Sequence, residues 1–282
     1  MNLFFERFSG SGYICAHRGA RSIAPENTVL ALEQARLCGA DLWETDVRLS
    51  ADGELVLFHD QTLERTTDVA ALETLYSRKP WKLSDFSFEE LCLLNAGSWF
   101  LRDDPFGTIA SGEVGGVDVP KIKAQKIPLL NETLRYSLRH DFPLNLEIKD
   151  QSATAGAQLV VDSVLKQLRE TGTEPLVLIS SFNHDYLRLL KQLNPNIATA
   201  ALVEDSHPEN LIDYLQDLAV EAYHPDQLIT DADLINELTS KGIRVNLWTV
   251  NDIQRARHFF AAGATFICTD WPQHLVADRH SA

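Results

Sequence analysis

The stretch 42-LWETDVRLSADGELVLF-58 decides the architecture. Leu42 to Leu49 reads as a strand, and so does Leu55 to Phe58. Only Ser50 to Glu54 lies between them, with Asp52-Gly53 at the turn. That length closes a hairpin but cannot hold a crossover helix, so the second run is expected to return antiparallel to the first. Working outward, strand-like runs recur at Tyr13 to His17, Leu144 to Ile148, Leu176 to Ser180, Ile197 to Leu202, Leu218 to Tyr223, Arg244 to Trp248 and Phe266 to Cys268. Helical patterns lie among them at Asn27 to Cys38, Ala155 to Arg169, His184 to Leu193, Ala232 to Lys241 and Ile253 to Ala262. With the return arm set aside, eight parallel strands remain, and eight βα units predict a closed TIM (β/α)8 barrel. An open doubly wound sheet is the competing arrangement.

The rhythm lapses from Gln61 to about Lys126, a stretch holding Lys79-Pro80-Trp81, a short helical pattern at Phe88 to Leu94 and the glycine-rich GEVGGVDVP. It reads as a subdomain inserted after the second barrel strand, within one domain spanning 1–282, and is expected to cover the barrel mouth.

Composition narrows the function. The chain has 282 residues, 45% of them hydrophobic and 23% charged, within the range of ordinary globular proteins. Against 25 Lys and Arg stand 40 Asp and Glu, a formal charge of −15 that argues against a broad nucleic-acid surface but allows a specific homodimer. No apolar run approaches the roughly 20 residues of a membrane span, and the start MNLFFERFSGSG lacks the basic region of an export signal. Cys15, Cys38, Cys92 and Cys268 form no paired motif and are expected to be buried reduced thiols, which suits a cytoplasmic protein.

Polar residues that end barrel strands carry the chemistry in this fold. The first strand runs into His17-Arg18-Gly19, a compact anion site. The second supplies Glu44 and Asp46, two apart and therefore on one face, and a later strand supplies Glu147 and Lys149 in the same way. Three such carboxylates repel one another without a cation between them, and hard oxygen donors select one divalent ion, Mg²⁺ or Ca²⁺. The hairpin returns His59-Asp60 alongside, so two histidines flank one metal site beside Arg18 and Lys149, the residue set of acid/base phosphodiester hydrolysis. Asn27 is expected to cap the first helix, leaving Glu26 free to orient Arg18 or His17 at the substrate. Phe182 and Trp248, at later strand ends, are expected to wall the substrate.

The segments AHRGA with PENT, ETD followed by DG and FHD, and NLEIK resemble the glycerophosphodiester phosphodiesterase family, as do SSF, LWTVND and GATFICTDWP further on. The resemblance runs from about Ile14 to Leu275. It implies a TIM barrel with an insertion after the HD motif and metal-dependent hydrolysis of glycerophosphodiesters, small molecules derived from deacylated phospholipids, to sn-glycerol 3-phosphate and an alcohol. Carried over by motif, Glu44, Asp46 and Glu147 hold the metal, His17 and His59 are the acid/base pair, and Arg18 and Lys149 contact phosphate. Rival readings are a lysophospholipase D, whose acyl groove would come from Trp81, Phe86, Phe88, Trp99 and Phe100, and a non-catalytic barrel binding polyol phosphates. A sugar-phosphate isomerase or aldolase ranks lower, having no need of two histidines around three carboxylates.

Overall fold

The computed structural model describes residues 3–152 and 157–281. In chain order it comprises β1 (Tyr13–Ala16), α1 (Val29–Leu37), β2 (Leu42–Leu49), β3 (Leu55–Leu57), α2 (Phe88–Leu93), α3 (Ser98–Asp103), α4 (Val119–Lys123), α5 (Leu130–His140), β4 (Leu144–Ile148), α6 (Ala157–Thr171), β5 (Val177–Ser181), α7 (His184–Leu193), β6 (Ala198–Val203), α8 (Leu211–Asp217), β7 (Ala222–Pro225), α9 (Ala232–Ser240), β8 (Arg244–Leu247), α10 (Ile253–Ala261), β9 (Phe266–Thr269) and α11 (Pro272–Ser281). The sheet runs β1-β9-β8-β7-β6-β5-β4-β2-β3 and closes through a parallel β1–β2 pairing. Eight strands are parallel, and β3 alone returns antiparallel on β2, with Val47 opposite Leu57 and Leu49 opposite Leu55. This is the TIM barrel expected from the hairpin, with the insertion between β3 and α5.

Alternate residues of each strand face opposite sides of the barrel wall. Ile14, Trp43, Leu146, Ile179 and Val245 turn outward into the core shared with the helices. Cys15, Leu42, Leu178, Ala200 and Phe266 turn inward. The bottom of the barrel is closed by Phe4, Phe5 and Phe8, which pack against Phe266 and Tyr13 with ring centroids 4.9 to 6.5 Å apart. Arg244, at the start of β8, fixes this plug by donating to the Phe8 carbonyl at 2.7 Å. Each buried phenylalanine contributes roughly 1.5–3 kcal/mol.

Three sequence expectations shift. The first helix is capped by Thr28, whose Oγ1 accepts from the Ala31 amide, and not by Asn27, whose side chain turns to β2 instead. The strand expected from Leu218 begins at Ala222: Leu218 ends α8 and Ala219 takes a φ of 55°, a break no strand continues through. Cys15 and Cys268 are buried, but Cys38 and Cys92 are only half-buried; all four are free. The start expected for the 155–169 helix lies outside the described residues. The insert carries its own cores. Trp81 and Phe86 pack with Val56 and Phe58 of the hairpin arm, with Phe88 partly buried against them, whereas Trp99 and Phe100 pack with Ala24, Leu30 and Ala31 of the β1–α1 region.

Gly19 sits where the first strand turns into the site. It has a φ of 81°, and a Cβ there would lie 2.5 Å from the Ala31 carbonyl carbon, whereas Gly53, with a φ of 83°, has nothing near. Gly19→Ala is therefore expected to cost about 2–4 kcal/mol and Gly53→Ala about 1 kcal/mol, read from the midpoints of urea unfolding.

Candidate active site

Residues at the C-terminal strand ends converge on a pocket lined by His17, Arg18, Glu44, His59, Glu147, Lys149, Phe182 and Trp248, among others. Asp46 and Glu26 stand behind this lining. No residue of 61–126 is among this lining.

The carboxylate cluster follows from strand register. Asp46 of β2 lies directly opposite Glu147 of β4, and Glu44 is two residues back on the inward face. One oxygen from each of Glu44, Asp46 and Glu147 falls within 4.8 Å of the others. Lys149 Nζ pairs with Glu147 Oε1 at 2.5 Å and Asp46 Oδ1 at 3.6 Å, and Arg18 Nε lies 3.4 Å from Asp46 Oδ2. Asn27, held at a φ of 56°, donates from Nδ2 to Asp46 Oδ2 at 2.8 Å and accepts at Oδ1 from Thr45 Oγ1 at 2.6 Å. The residue expected as a helix cap is thus a clamp on a carboxylate. Arg18, also left-handed at 53°, donates its backbone N–H to Glu44 Oε2 at 2.8 Å.

Burial alone would raise Asp46, but Lys149, Arg18 and His59 overcome it and hold that carboxyl below the usual range. Glu44 has less relief: burial, then the charges of Asp46 and Glu147, push its carboxyl well above the ordinary value against the opposing Arg18 charge and N–H. Glu147 is also raised, by burial first, with Lys149 opposing. Three oxygen donors crowded to the point that one resists ionisation form a donor set that a hard divalent cation fits, since its charge removes the repulsion that lifts Glu44.

Each histidine is oriented by a carboxylate at Nδ1. His17 Nδ1 lies 2.7 Å from Asp270 Oδ1, and Asn251 holds the other oxygen of Asp270 at 2.8 Å. His59 Nδ1 lies 2.6 Å from Asp60 Oδ1. With Nδ1 donating to its carboxylate, Nε2 is the nitrogen left to accept or give a proton. Burial, and next the Arg18 charge, lower His17 to about 4 against the pull of Asp270, so its ring is neutral near pH 7. Asp270 is itself held at about 2: burial would raise it, and His17 and Arg21 prevail.

Glu26 is a hub. Its Oε1 takes Arg18 Nη1 at 2.8 Å and Arg65 Nη2 at 2.6 Å, and its Oε2 takes Arg21 Nη2 at 2.9 Å. Arg65 also donates from Nε to Asp60 Oδ2 at 2.6 Å, linking the hub to His59. Glu26 therefore faces three guanidinium groups, Arg18 among them, and is not part of the pocket lining. At the rim, Phe182 and Trp248 meet edge to face at 5.5 Å, and Lys149 Nζ lies 5.8 Å from the Phe182 ring centre. Asp270 and Arg65 had no role read from sequence, and Asn27 only that of a helix cap. Asp270 carried a signal, a carboxylate ending the last strand, but its partner is 253 residues away.

The raised Glu44 carboxyl links stability to pH. A carboxyl whose folded pKa exceeds its unfolded value stabilises fully below the unfolded value and loses that contribution as the pH rises through the folded one. The chelated protein is therefore expected to lose Glu44-linked stability as the pH climbs from about 4.5, and the rise in Tm on adding Mg²⁺ or Ca²⁺ to be larger at pH 8 than at pH 5. At an ion concentration of about 100 Kd the gain is about 5 °C. Glu44→Gln is expected to raise the Tm of the chelated protein and remove most of that gain.

Residues 17–274 match the glycerophosphoryl diester phosphodiesterase family. A glycerophosphodiester phosphodiesterase of Caldanaerobacter subterraneus subsp. tengcongensis is 31% identical over 265 residues, covering 93% of this chain and 96% of that protein. One from Bacillus altitudinis is 32% identical over 272 residues, covering 94% and 97%. Among solved structures, an Oleispira antarctica phosphodiesterase in complex with the product sn-glycerol-3-phosphate superposes with a TM-score of 0.79 at 28% identity, covering 95% of this chain and 97% of that one. The chain belongs to the glycerophosphoryl diester phosphodiesterase family and is a phosphoric diester hydrolase.

Proposed function

We propose that the protein hydrolyses deacylated glycerophosphodiesters such as glycerophosphoethanolamine to sn-glycerol 3-phosphate and the head-group alcohol, with His17 as base and His59 as acid. The observation that carries this reading is the pair of carboxylate-anchored histidines lining one pocket with Arg18, Lys149 and a three-carboxylate cluster. The product named for the Oleispira relative supports the substrate class. The aromatic residues on which an acyl groove would depend favour the deacylated substrate, because Trp81, Phe86, Trp99 and Phe100 are buried in the insert's own cores.

The chain's residues divide the work. Arg18 and Lys149 neutralise the phosphoryl oxygens. Neutral His17, its ring fixed by Asp270, accepts the proton from the attacking oxygen at Nε2. As the new P–O bond forms, the P–O bond to the head group breaks, and His59, fixed by Asp60, gives its Nε2 proton to the departing alkoxide. Glu44, Asp46 and Glu147 would hold one divalent cation, Mg²⁺ or Ca²⁺, which when bound supplies Lewis-acid stabilisation of the phosphoryl charge. Asn27 and Arg65 keep this set in place from behind.

The test is release of sn-glycerol 3-phosphate from glycerophosphoethanolamine by chelated protein with Mg²⁺, Ca²⁺ or Mn²⁺ restored separately. Activity is expected only with an ion; activity that survives chelation overturns the metal role. His17→Ala and His59→Ala are each expected to lose about 10²–10⁴-fold in kcat. With a p-nitrophenyl leaving group, which needs little protonation, His59→Ala is expected to recover much of its loss and His17→Ala none. Equal losses on both substrates reject the assignment of acid and base. Asp270→Asn is expected to lower kcat about 10²-fold or more by freeing the His17 ring.

A further inference from the structure

The interior of a TIM barrel is ordinarily filled by branched apolar side chains. In this one the inward face beside the carboxylates is polar, with Asn145 in register with Glu44 and Ser180 in register with Glu147. Asn145 on β4, Ser180 on β5, His224 on β7 and Asn246 on β8 all line the same pocket as the two histidines. Each is at most 3% exposed. Each also presents a buried atom without a hydrogen-bond partner: Asn145 Oδ1, Ser180 Oγ, His224 Nε2 and Asn246 Oδ1. Four such atoms facing one pocket call for hydrogen-bonding partners there, because buried polar groups are almost always paired. Ala200, on the intervening strand, is small enough to leave room.

The chemistry of the layer selects what it takes. The Asn246 carboxamide faces His224 Nδ1 at 3.5 Å, which leaves the opposite ring nitrogen, Nε2, turned to the pocket without a partner. Burial lowers His224 to about 3, so the ring is uncharged. The floor therefore offers one imidazole nitrogen, one hydroxyl and two carboxamides, all neutral. Hydroxyl groups, which both give and accept, match that set, whereas a phosphate is better served by Arg18 and Lys149 above it. At the opposite end stand Phe182 and Trp248, faces suited to an alkyl or ammonium group. The Trp248 indole donates to the His224 carbonyl at 2.8 Å, tying rim to floor.

We infer that Asn145, Ser180, His224 and Asn246 form a subsite for the polyol half of the diester, which enters hydroxyls first while the head group points outward past Phe182 and Trp248. This rests on the hydrolytic reading above and adds the orientation and the residues that discriminate substrates.

Two paired measurements separate the two readings. The first is kcat/KM for glycerophosphoethanolamine against the ethanolamine diester of propyl phosphate, which lacks the hydroxyls. The second is binding of sn-glycerol 3-phosphate against propyl phosphate by calorimetry. Wild-type protein is expected to prefer the hydroxylated ligand at least tenfold in both. Ser180→Ala, which deletes one oxygen with little risk to folding, and Asn246→Leu are each expected to lower that preference about 3- to 10-fold. A preference unchanged in both variants, or absent from wild type, overturns the subsite whatever the turnover. A retained binding preference with no turnover overturns the hydrolytic reading and leaves the subsite standing.

Discussion

Three carboxylates confined between two neighbouring strands are the constraint around which this molecule is organised. Asp46 and Glu147 are forced opposite each other by the register of β2 and β4, and Glu44 follows on the same inward face. Unpaired, such a group costs several kcal/mol per buried ion. Lys149 and Arg18 offset part of that cost, and each approaches from a different strand end, so closing the barrel correctly is also what neutralises it. The share that these two cations leave unrelieved falls most heavily on Glu44, so a further positive charge would fit the cluster.

Around that centre runs a second ring of contacts which fixes direction rather than charge. Asn27 clamps Asp46, Asp270 and Asp60 set the two imidazole rings, and Glu26 gathers Arg18, Arg21 and Arg65. The insert takes part in this ring from the side. Arg65 comes from its first turn, and Phe106 packs edge to face on Trp271 at 5.8 Å with Arg21 beneath its ring. A segment without a place in the pocket therefore still bears on its geometry.

Much of this was legible in the sequence because it depends on local rules. A five-residue connection can only be a hairpin, and a spacing of two puts Glu44 with Asp46 and Glu147 with Lys149 on one face, whatever the rest of the chain does. What escaped depends on distant partners. Asn27 looks like a cap, but β2 draws its side chain away and Thr28 takes the role. Asp270 acquires meaning only when β9 closes against β1. The aromatic residues of the insert suggest a groove until it is seen that they meet two separate patches of the barrel's flank. Likewise the apolar run from Leu218 serves the end of a helix, where burial is the same but the backbone is not.

The phenylalanine plug has a consequence for traffic. With Phe4, Phe5 and Phe8 stoppering the lower end against Phe266, the barrel is a blind cup and not a tunnel. The end left open is that of the strand C-termini, where Phe182 and Trp248 stand, so entry and exit fall on the same side of the barrel. A molecule seated deepest is then the last to leave, and while it stays no successor can enter.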